Sequence, residues 1–156
     1  MRLTGFTKYG LLVLVHATVH RDELLTVKQI SVAFGISRNH LTKIVHTLGR
    51  AGYLSTSRGR AGGLRLGRPA VLITVGEVVR TMEQDFDVAE RFDTEHSTSA
   101  ATAACGLRST FWAATRAYFD VLDRCTLADL ASDHGELAHL LIGRPVKHPS
   151  MRQPST

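Results

Sequence analysis

Side chains able to do covalent or metal chemistry are few in this chain, and they form no catalytic pattern. Its 156 residues include eight histidines and two cysteines, Cys105 and Cys125. Serine, histidine and aspartate are present, but no nucleophile elbow, paired-carboxylate arrangement or nucleotide loop accompanies them. The sequence therefore does not predict an enzyme. A metal- or haem-binding stress protein using His96 and Cys105 stays open as an alternative, although their spacing matches no metal signature.

The clearest chemical pattern is electrostatic and lies between residues 24 and 76. This interval has no aspartate or glutamate. Its eight basic residues are Lys28, Arg38, Lys43, Arg50, Arg58, Arg60, Arg65 and Arg68. The formal charge of the chain is +5, yet seven acids fall between residues 77 and 95, so the basic character is local. Such a charge balance fits an anionic partner such as DNA.

Two short helical patterns begin this interval. Thr26 and Gln29 predict a capping box, and the helix that follows has a predicted core stripe of Val27, Ile30, Val32, Ala33 and Phe34. Gly35 stands where a tight turn needs a positive φ. Ser37 predicts the next N-cap, and the core positions of that helix are Leu41, Ile44, Val45 and Leu48.

A glycine-rich hairpin predicts a wing after these helices. Residues 53–57 and 64–66 suit two short strands, and Arg58 and Arg60 lie in the glycine-rich turn between them. Helix, turn, helix and wing together predict a winged helix-turn-helix, in which the second helix meets base edges and the wing meets a minor groove. The expected DNA-contacting residues are Lys28, Ser37, Arg38, Asn39, His40, Lys43, Arg58, Arg60 and Arg65. An ordinary solvated helix face and a solvent-facing hairpin are the alternatives.

The remaining segments complete a mainly α fold with a small β-wing. Thr4 predicts the cap of a first helix reaching about His20. His16 and His20, four residues apart, have the spacing to face one metal ion, but the end of a frayed helix is the preferred interpretation. Thr74 and Glu77 predict a second capping box and a helix to about residue 82.

The C-terminal part predicts a sensor loop and a dimerisation element. A helix from about Gly106 to Leu122 has apolar cover on more than one side, which predicts a homodimer. Thr126 predicts the cap of a last short helix. The expected units are a DNA-binding domain at 1–83, a sensor loop at 84–105, helices at 106–142 and a disordered tail at 143–156. Because two cysteines give no disulfide framework and no apolar run is long enough to span a membrane, a cytoplasmic location is expected.

The residues resemble the bacterial winged-helix regulators that include NsrR, IscR and RirA. The resemblance rests on MRLTGFTKYG, ISRNHLTKIVHTLGRAGYL, RGRAGGLRLGRP and CTLADLA, and NsrR and RirA are the most similar branches. It implies a repressor that responds to nitric oxide, redox state or iron. It also implies an iron–sulfur cluster held by three cysteines before the long helix, since thiolates are soft, charged ligands for iron.

The cluster motif is broken in this chain. Cys105 matches the last family ligand, but Ser99 and Arg91 stand at the other two positions. Arginine does not ligate a cation, and Lys8 occupies the position of the family's further ligand on the first helix.

Three explanations of the broken motif stay open. A natural member of the family has lost its cluster and senses something else, through Cys105 oxidation or a small ligand. Alternatively, Cys105 holds a cluster with His96, Asp93 or Glu95. The third explanation is a ligand-knockout variant of a cluster protein.

Overall fold

The computed structural model describes residues 3–57, 59, 62–83 and 100–132, with the backbone alone for 100–105. The elements in chain order are α1 (Gly5–Val19), α2 (Val27–Phe34), α3 (Arg38–Arg50), β1 (Leu54–Ser57), β2 (Gly63–Leu66), a 3₁₀ turn (Ala70–Leu72), α4 (Val75–Met82), α5 (Ala100–Leu122) and α6 (Leu127–Ser132). The prediction of a mainly helical fold with a small β-wing is confirmed. In the described ranges, no helix is both long enough and apolar enough to cross a bilayer.

Helix α1 lies at the centre of the fold. Its middle turns, from Leu11 to Val15 together with Ala17, are buried, as its nearly continuous apolar sequence predicts. It contacts α3, α4, α6 and β2. The core therefore forms around one helix, and the helix-turn-helix and the wing are layered onto it.

The polar residues predicted to start helices do so. The side-chain oxygens of Thr4, Thr26, Ser37 and Thr74 each accept a hydrogen bond from the backbone N–H three residues later. Thr126 does the same for Asp129, at 3.2 Å. These bonds satisfy backbone donors that a helix leaves unpaired in its first turn, so each helix begins where its sequence permits a cap.

Two sequence predictions about helix faces and caps are wrong in part. On α2, Ile30 is buried, but Val32 is 77% exposed and Ala33 is also exposed, so the predicted core stripe is too wide. At α4, Glu77 N–H bonds Thr74 as predicted, but the Glu77 carboxylate does not return to the cap. It instead accepts a hydrogen bond from Arg68, because the guanidinium offers a charged partner.

The long helix begins earlier than its sequence suggested. Helix α5 starts at Ala100, six residues before the predicted start at Gly106. The alanine-rich run before Cys105 has no apolar periodicity, yet alanine has the highest helix propensity of all residues. The part of the predicted sensor loop between residues 84 and 99 lies outside the described residues, as does the predicted tail.

Candidate nucleic-acid interface

Helix α3 divides into an apolar face and a polar face. Leu41, Ile44, Val45 and Leu48 are all buried, as predicted. At roughly 100° per residue, these four positions share one side of the helix. The opposite arc is exposed and holds Arg38, Asn39, Thr42, Lys43, His46 and Arg50. A helix anchored by one face presents the other as a fixed surface, which is what groove binding requires.

His40 does not lie on that exposed arc. Its ring is half-buried, 6.0 Å from the Phe6 ring and 5.5 Å from the Tyr9 ring, both on α1. The helical angle of position 40 places it at the edge between the two faces, so the aromatic side chains of α1 take up its ring. His40 therefore connects α1 to the start of α3, a packing role that the sequence did not predict.

Two residues of the exposed arc were missing from the predicted set. His46 and Arg50 follow Thr42 and Lys43 at helical spacing and are exposed on the same side of α3. Both also line a cavity of about 640 Å³ between α3 and the wing. Their helical spacing from Thr42 and Lys43 is the sequence signal that identifies them.

The turn before α3 is fixed by its backbone conformation and by side-chain hydrogen bonds. Gly35 ends α2 with a φ of +65°, a conformation that other residues rarely adopt, as predicted. The Ser31 hydroxyl donates to the Ile36 carbonyl at 2.7 Å, which ties α2 to the turn. Ser37 then caps α3 through His40 N–H at 3.3 Å, so its side-chain oxygen is already hydrogen-bonded.

The wing is anchored at its base. Strands β1 and β2 pair antiparallel, with Ser55 opposite Arg65 and Thr56 opposite Leu64. Leu64 is buried and exchanges two backbone hydrogen bonds with Leu25, at 2.7 and 3.0 Å, whereas Arg65 is exposed. Alternation along β2 therefore directs Leu64 inward and Arg65 outward. Arg58 and Arg60, at the tip, lie outside the described residues.

The cations near α3 are free of acidic partners in the described part of the chain. Lys28, Arg38, Lys43, Arg50 and Arg65 are exposed, and none forms a salt bridge with a described residue. Their charge is therefore available to an external anion.

Arg68 differs from the other cations of the interval. It pairs with Glu77, and its guanidinium lies 5.0 Å from the centre of the Tyr53 ring. Arg68 thus fixes the end of the wing to α4, and it is not part of the free cationic surface.

Comparison with known proteins identifies the fold. The model of the Rrf2 family, described as an iron-dependent transcriptional regulator, matches residues 3–133. The chain belongs to the Rrf2 family. Its relatives are DNA-binding transcriptional regulators, and the prediction that the chain is not an enzyme agrees with them.

Two relatives align with nearly the whole chain. The HTH-type transcriptional regulator NsrR of Bacillus licheniformis is 42% identical over 142 residues, which are 90% of this chain and 99% of that protein. NsrR of Bacillus subtilis is also 42% identical, over 90% of this chain and 97% of its own length. The family resemblance inferred from the sequence is therefore confirmed.

Solved Rrf2-type structures share the architecture. The structure of CymR, the global cysteine regulator of B. subtilis, has a TM-score of 0.68 and 28% identity, covering 85% of this chain and 98% of that one. The structure of T. potens IscR has a TM-score of 0.67 and 22% identity, covering 95% and 94% of the two chains, and shows the shared fold.

The side chains of this Rrf2 protein do not fit a three-cysteine cluster. Arg91 and Ser99 cannot supply the two missing thiolates, and both lie outside the described residues, as do His96, Asp93 and Glu95. The structure describes only the backbone of Cys105, which lies in the first turns of α5. Lys8 is exposed on α1 and is not a ligand. Across the described residues, no three histidine, cysteine or acidic side chains are close enough to hold a metal ion.

Cys125 does not replace the missing ligands. It lies half-buried between α5 and α6, where burial, together with the negative charge of Asp129, raises the pKa of its thiol. Its carbonyl accepts a hydrogen bond from Val75 N–H at 2.8 Å, which joins this turn to α4. A raised pKa disfavours the thiolate, which is the form that acts as a nucleophile and as a metal ligand.

Proposed function

We propose that this chain is a homodimeric transcriptional repressor that binds a pseudo-palindromic DNA operator through α3 and the wing. The observation that carries the proposal is the free cationic arc of α3. Arg38, Lys43 and Arg50 are exposed there without a salt bridge to any described residue, while the opposite face is fully packed. Anchoring one face and leaving the other positive suits a helix that enters the major groove.

The contacts divide by the chemistry of each side chain. Arg38 and Asn39 lie at the N-terminal end of α3, the part of a recognition helix that meets base edges, so they contact bases. Lys28, Lys43, Arg50 and Arg65 supply positive charge to phosphates. Arg58 and Arg60 of the wing enter the flanking minor groove. Ser37 and His40 act mainly by capping and positioning α3, since both already have partners within the protein.

The dimer is proposed to form through α5. Tyr118, Phe119 and Leu122 cover the winged domain at the C-terminal end of this helix. Leu107 and Phe111 continue the apolar stripe of Tyr118 and Leu122 toward the N-terminus, where both are exposed. The neighbouring Trp112 is 57% exposed. The exposed part of this apolar stripe would be buried by the same stripe of a second subunit.

The signal is proposed to be nitric oxide, redox state or iron status, sensed without a three-cysteine cluster. The support is the family membership on one side and the missing ligands on the other. Cys105 is the proposed sensor residue, acting by oxidation or beside a small ligand, because it stands at the family's last ligand position, whereas burial raises the pKa of the other cysteine, Cys125. As a DNA-binding regulator, the protein is expected to work in the cytoplasm.

Salt-dependent DNA binding tests the proposal. An operator would be selected from random duplexes with the full-length protein, and fluorescence anisotropy would compare it with a random duplex at several salt concentrations. Lys43→Ala and Arg60→Ala are each expected to weaken binding and to reduce the slope of log K against log salt by about 1, because one phosphate or groove contact is lost.

Arg21→Ala is the matched control, since Arg21 is exposed, lies 3.7 Å from the Asp22 carboxylate, and belongs to the loop after α1 and not to α3 or a wing strand. An unchanged slope in both test variants would overturn the DNA-contact assignment.

Anaerobic purification with iron and sulfide assays tests the sensor. A colourless, iron-free protein that still binds its operator is expected. Stoichiometric iron and sulfide together with visible absorbance would instead mean a cluster with unusual ligands.

A further inference from the structure

Two histidine side chains meet at the C-terminal end of α1. His16 and His20 are four residues apart, and the centres of their rings are 4.2 Å from each other. Both rings are half-buried. At the end of α1, His20 N–H donates to the His16 carbonyl at 3.1 Å, and the Thr18 hydroxyl donates to the Leu14 carbonyl at 2.8 Å. The last hydrogen-bonded turn of α1 and its C-cap residue His20 therefore hold the two rings next to each other.

The hydrogen bond of the His20 ring determines its tautomer. Nδ1 of His20 lies 3.0 Å from the backbone carbonyl oxygen of His16. A carbonyl only accepts, so Nδ1 carries the proton and donates. In the neutral ring, Nε2 then has a free lone pair, as in histidines that bind metals while their other nitrogen bonds a carbonyl.

His16 is placed to supply a second nitrogen. Its ring nitrogens have no hydrogen bond with a described residue, and its ring meets Phe34 edge-on, with the ring centres 5.1 Å apart. Burial, and secondarily the charge of His20, lowers the pKa of His16, whereas Glu23 acts in the opposite direction. The lowered pKa favours the neutral imidazole, which is the form that binds a metal.

We propose that His16 and His20 form a two-imidazole chelate for a divalent transition-metal ion such as Ni²⁺, Cu²⁺ or Zn²⁺. Histidines at positions i and i+4 share one helix face, and imidazole is a ligand suited to these ions. Water completes the coordination, because a third histidine, cysteine or acidic ligand is not within reach in the described part of the chain. The Glu23 carboxylate, in the loop after α1, adds negative charge near the site.

The site lies at the joint between α1 and the helix-turn-helix. Phe34 is the last residue of α2 and directly precedes the Gly35 turn, so an ion bound by His16 sits one side chain away from that turn. The site shares no residue with the proposed DNA-contacting or dimer surfaces. Its existence is therefore tested separately from the proposed function.

Calorimetric titration with Ni²⁺ tests the chelate. The full-length protein would first be freed of metal and carry Cys105→Ser, so that this thiol does not compete. One equivalent of Ni²⁺ is expected to bind, and His16→Gln or His20→Gln should each weaken it by at least about tenfold, since loss of even a supporting partner costs 10–100-fold. Protonation should weaken binding as the pH falls below about 6.5, the ordinary histidine pKa.

His46→Gln is the matched control, because His46 is an exposed histidine on α3 without a histidine partner four residues away. It should leave the Ni²⁺ affinity unchanged. Thermal melts followed by circular dichroism should show that Ni²⁺ raises the Tm of the parent and of the His46→Gln protein. Ni²⁺ should not raise the Tm of the His16→Gln or His20→Gln protein. Equal Ni²⁺ affinity in the parent and the His16→Gln, His20→Gln double variant would overturn the proposal.

Discussion

Arg80 on α4 and Asp123 after α5 form a two-point ion pair. Nη1 of Arg80 donates to Oδ1 at 2.8 Å, and Nη2 donates to Oδ2 at 2.6 Å. The same guanidinium lies 4.1 Å from the centre of the Phe119 ring. A Cβ at Gly76 would collide with the Asp123 carboxylate, so a glycine is needed at this point of α4. The Arg80 side chain thus joins the DNA-binding domain to α5, the helix proposed to form the dimer.

Replacing Arg80 should loosen this joint. Arg80→Met is expected to lower the free energy of unfolding by about 1–2 kcal/mol, because a half-exposed bidentate pair contributes about 0.5–1 kcal/mol and the contact with Phe119 adds a similar amount. Equilibrium unfolding in urea would measure this change in the free energy of unfolding. Arg21→Met, which removes a fully exposed and longer pair with Asp22, should change the stability by less than about 0.5 kcal/mol and serves as control. Equal effects of the two substitutions would contradict the assigned role of Arg80.

The contribution of Asp123 should depend on pH. Hydrogen bonding to Arg80, helped by its positive charge, lowers the pKa of Asp123 below its ordinary value. A lowered carboxyl pKa stabilises the fold above the unfolded pKa, and that stability is lost as the pH falls through the folded pKa. The difference in unfolding free energy between wild type and Asp123→Asn should therefore have its largest value at pH 6 and should decrease below about pH 4. A difference independent of pH between 6 and 2.5 would contradict this account.

His16 should make the fold sensitive to mild acid. Burial lowers the pKa of His16, so the unfolded chain binds a proton more readily than the folded one. Stability should consequently decrease as the pH falls from about 6.5, the unfolded histidine pKa, toward the folded pKa. Chemical unfolding of metal-free protein at pH 7.5 and 5.5 is expected to show a smaller decrease in His16→Gln than in wild type. His46→Gln, at an exposed position, should retain the wild-type decrease.

The base of the wing should not accept a side chain at Gly63. A Cβ there would lie 2.9 Å from the Leu25 carbonyl oxygen and 3.0 Å from Leu24 Cβ. Gly63→Ala is expected to destabilise the protein by about 1–3 kcal/mol through overpacking, and to weaken operator binding by displacing the wing. Gly106→Ala on α5 has open space around it and should stabilise by up to about 1 kcal/mol. A Gly63→Ala protein with wild-type Tm and affinity would contradict the tight fit.

Charge on the exposed stripe of α5 should prevent dimerisation. Leu107 is 47% exposed, and Leu107→Glu is expected to convert the dimer to a monomer, because two carboxylates would be buried at the interface. Light scattering after gel filtration would measure the mass. Val32→Glu changes an even more exposed apolar residue on α2 and should leave the dimer intact. A Leu107→Glu protein that remains dimeric would place the interface elsewhere.

Local rules predicted most of the fold. The caps at Thr4, Thr26 and Ser37 and the turn at Gly35 follow from backbone chemistry that acts within four residues, so the sequence determines them. Predictions that depend on distant partners succeeded less often. Glu77 bonds Arg68 instead of its own cap, and the sequence holds no signal for that choice.

Contacts between residues distant in sequence also limited the prediction of the candidate site. The polar arc of α3 was predictable from helical spacing, but the burial of His40 was not, because it depends on where α1 places Phe6 and Tyr9. The meeting of His16 and His20 is local in sequence, yet its geometry required a helix that stays regular to its last turn.

The contact between Thr4 and Glu83 has an evolutionary consequence. Glu83 accepts hydrogen bonds from Thr4 N–H at 2.7 Å and from its hydroxyl at 2.9 Å, which fastens the start of α1 to the last residue before the predicted sensor loop. The core on either side of that loop is built from α1, α3, α4, the base of the wing and the ends of α5 and α6. Loss of the Glu83 carboxylate would remove both hydrogen bonds, and loss of the Thr4 hydroxyl would remove one, so the two positions are expected to vary together during evolution.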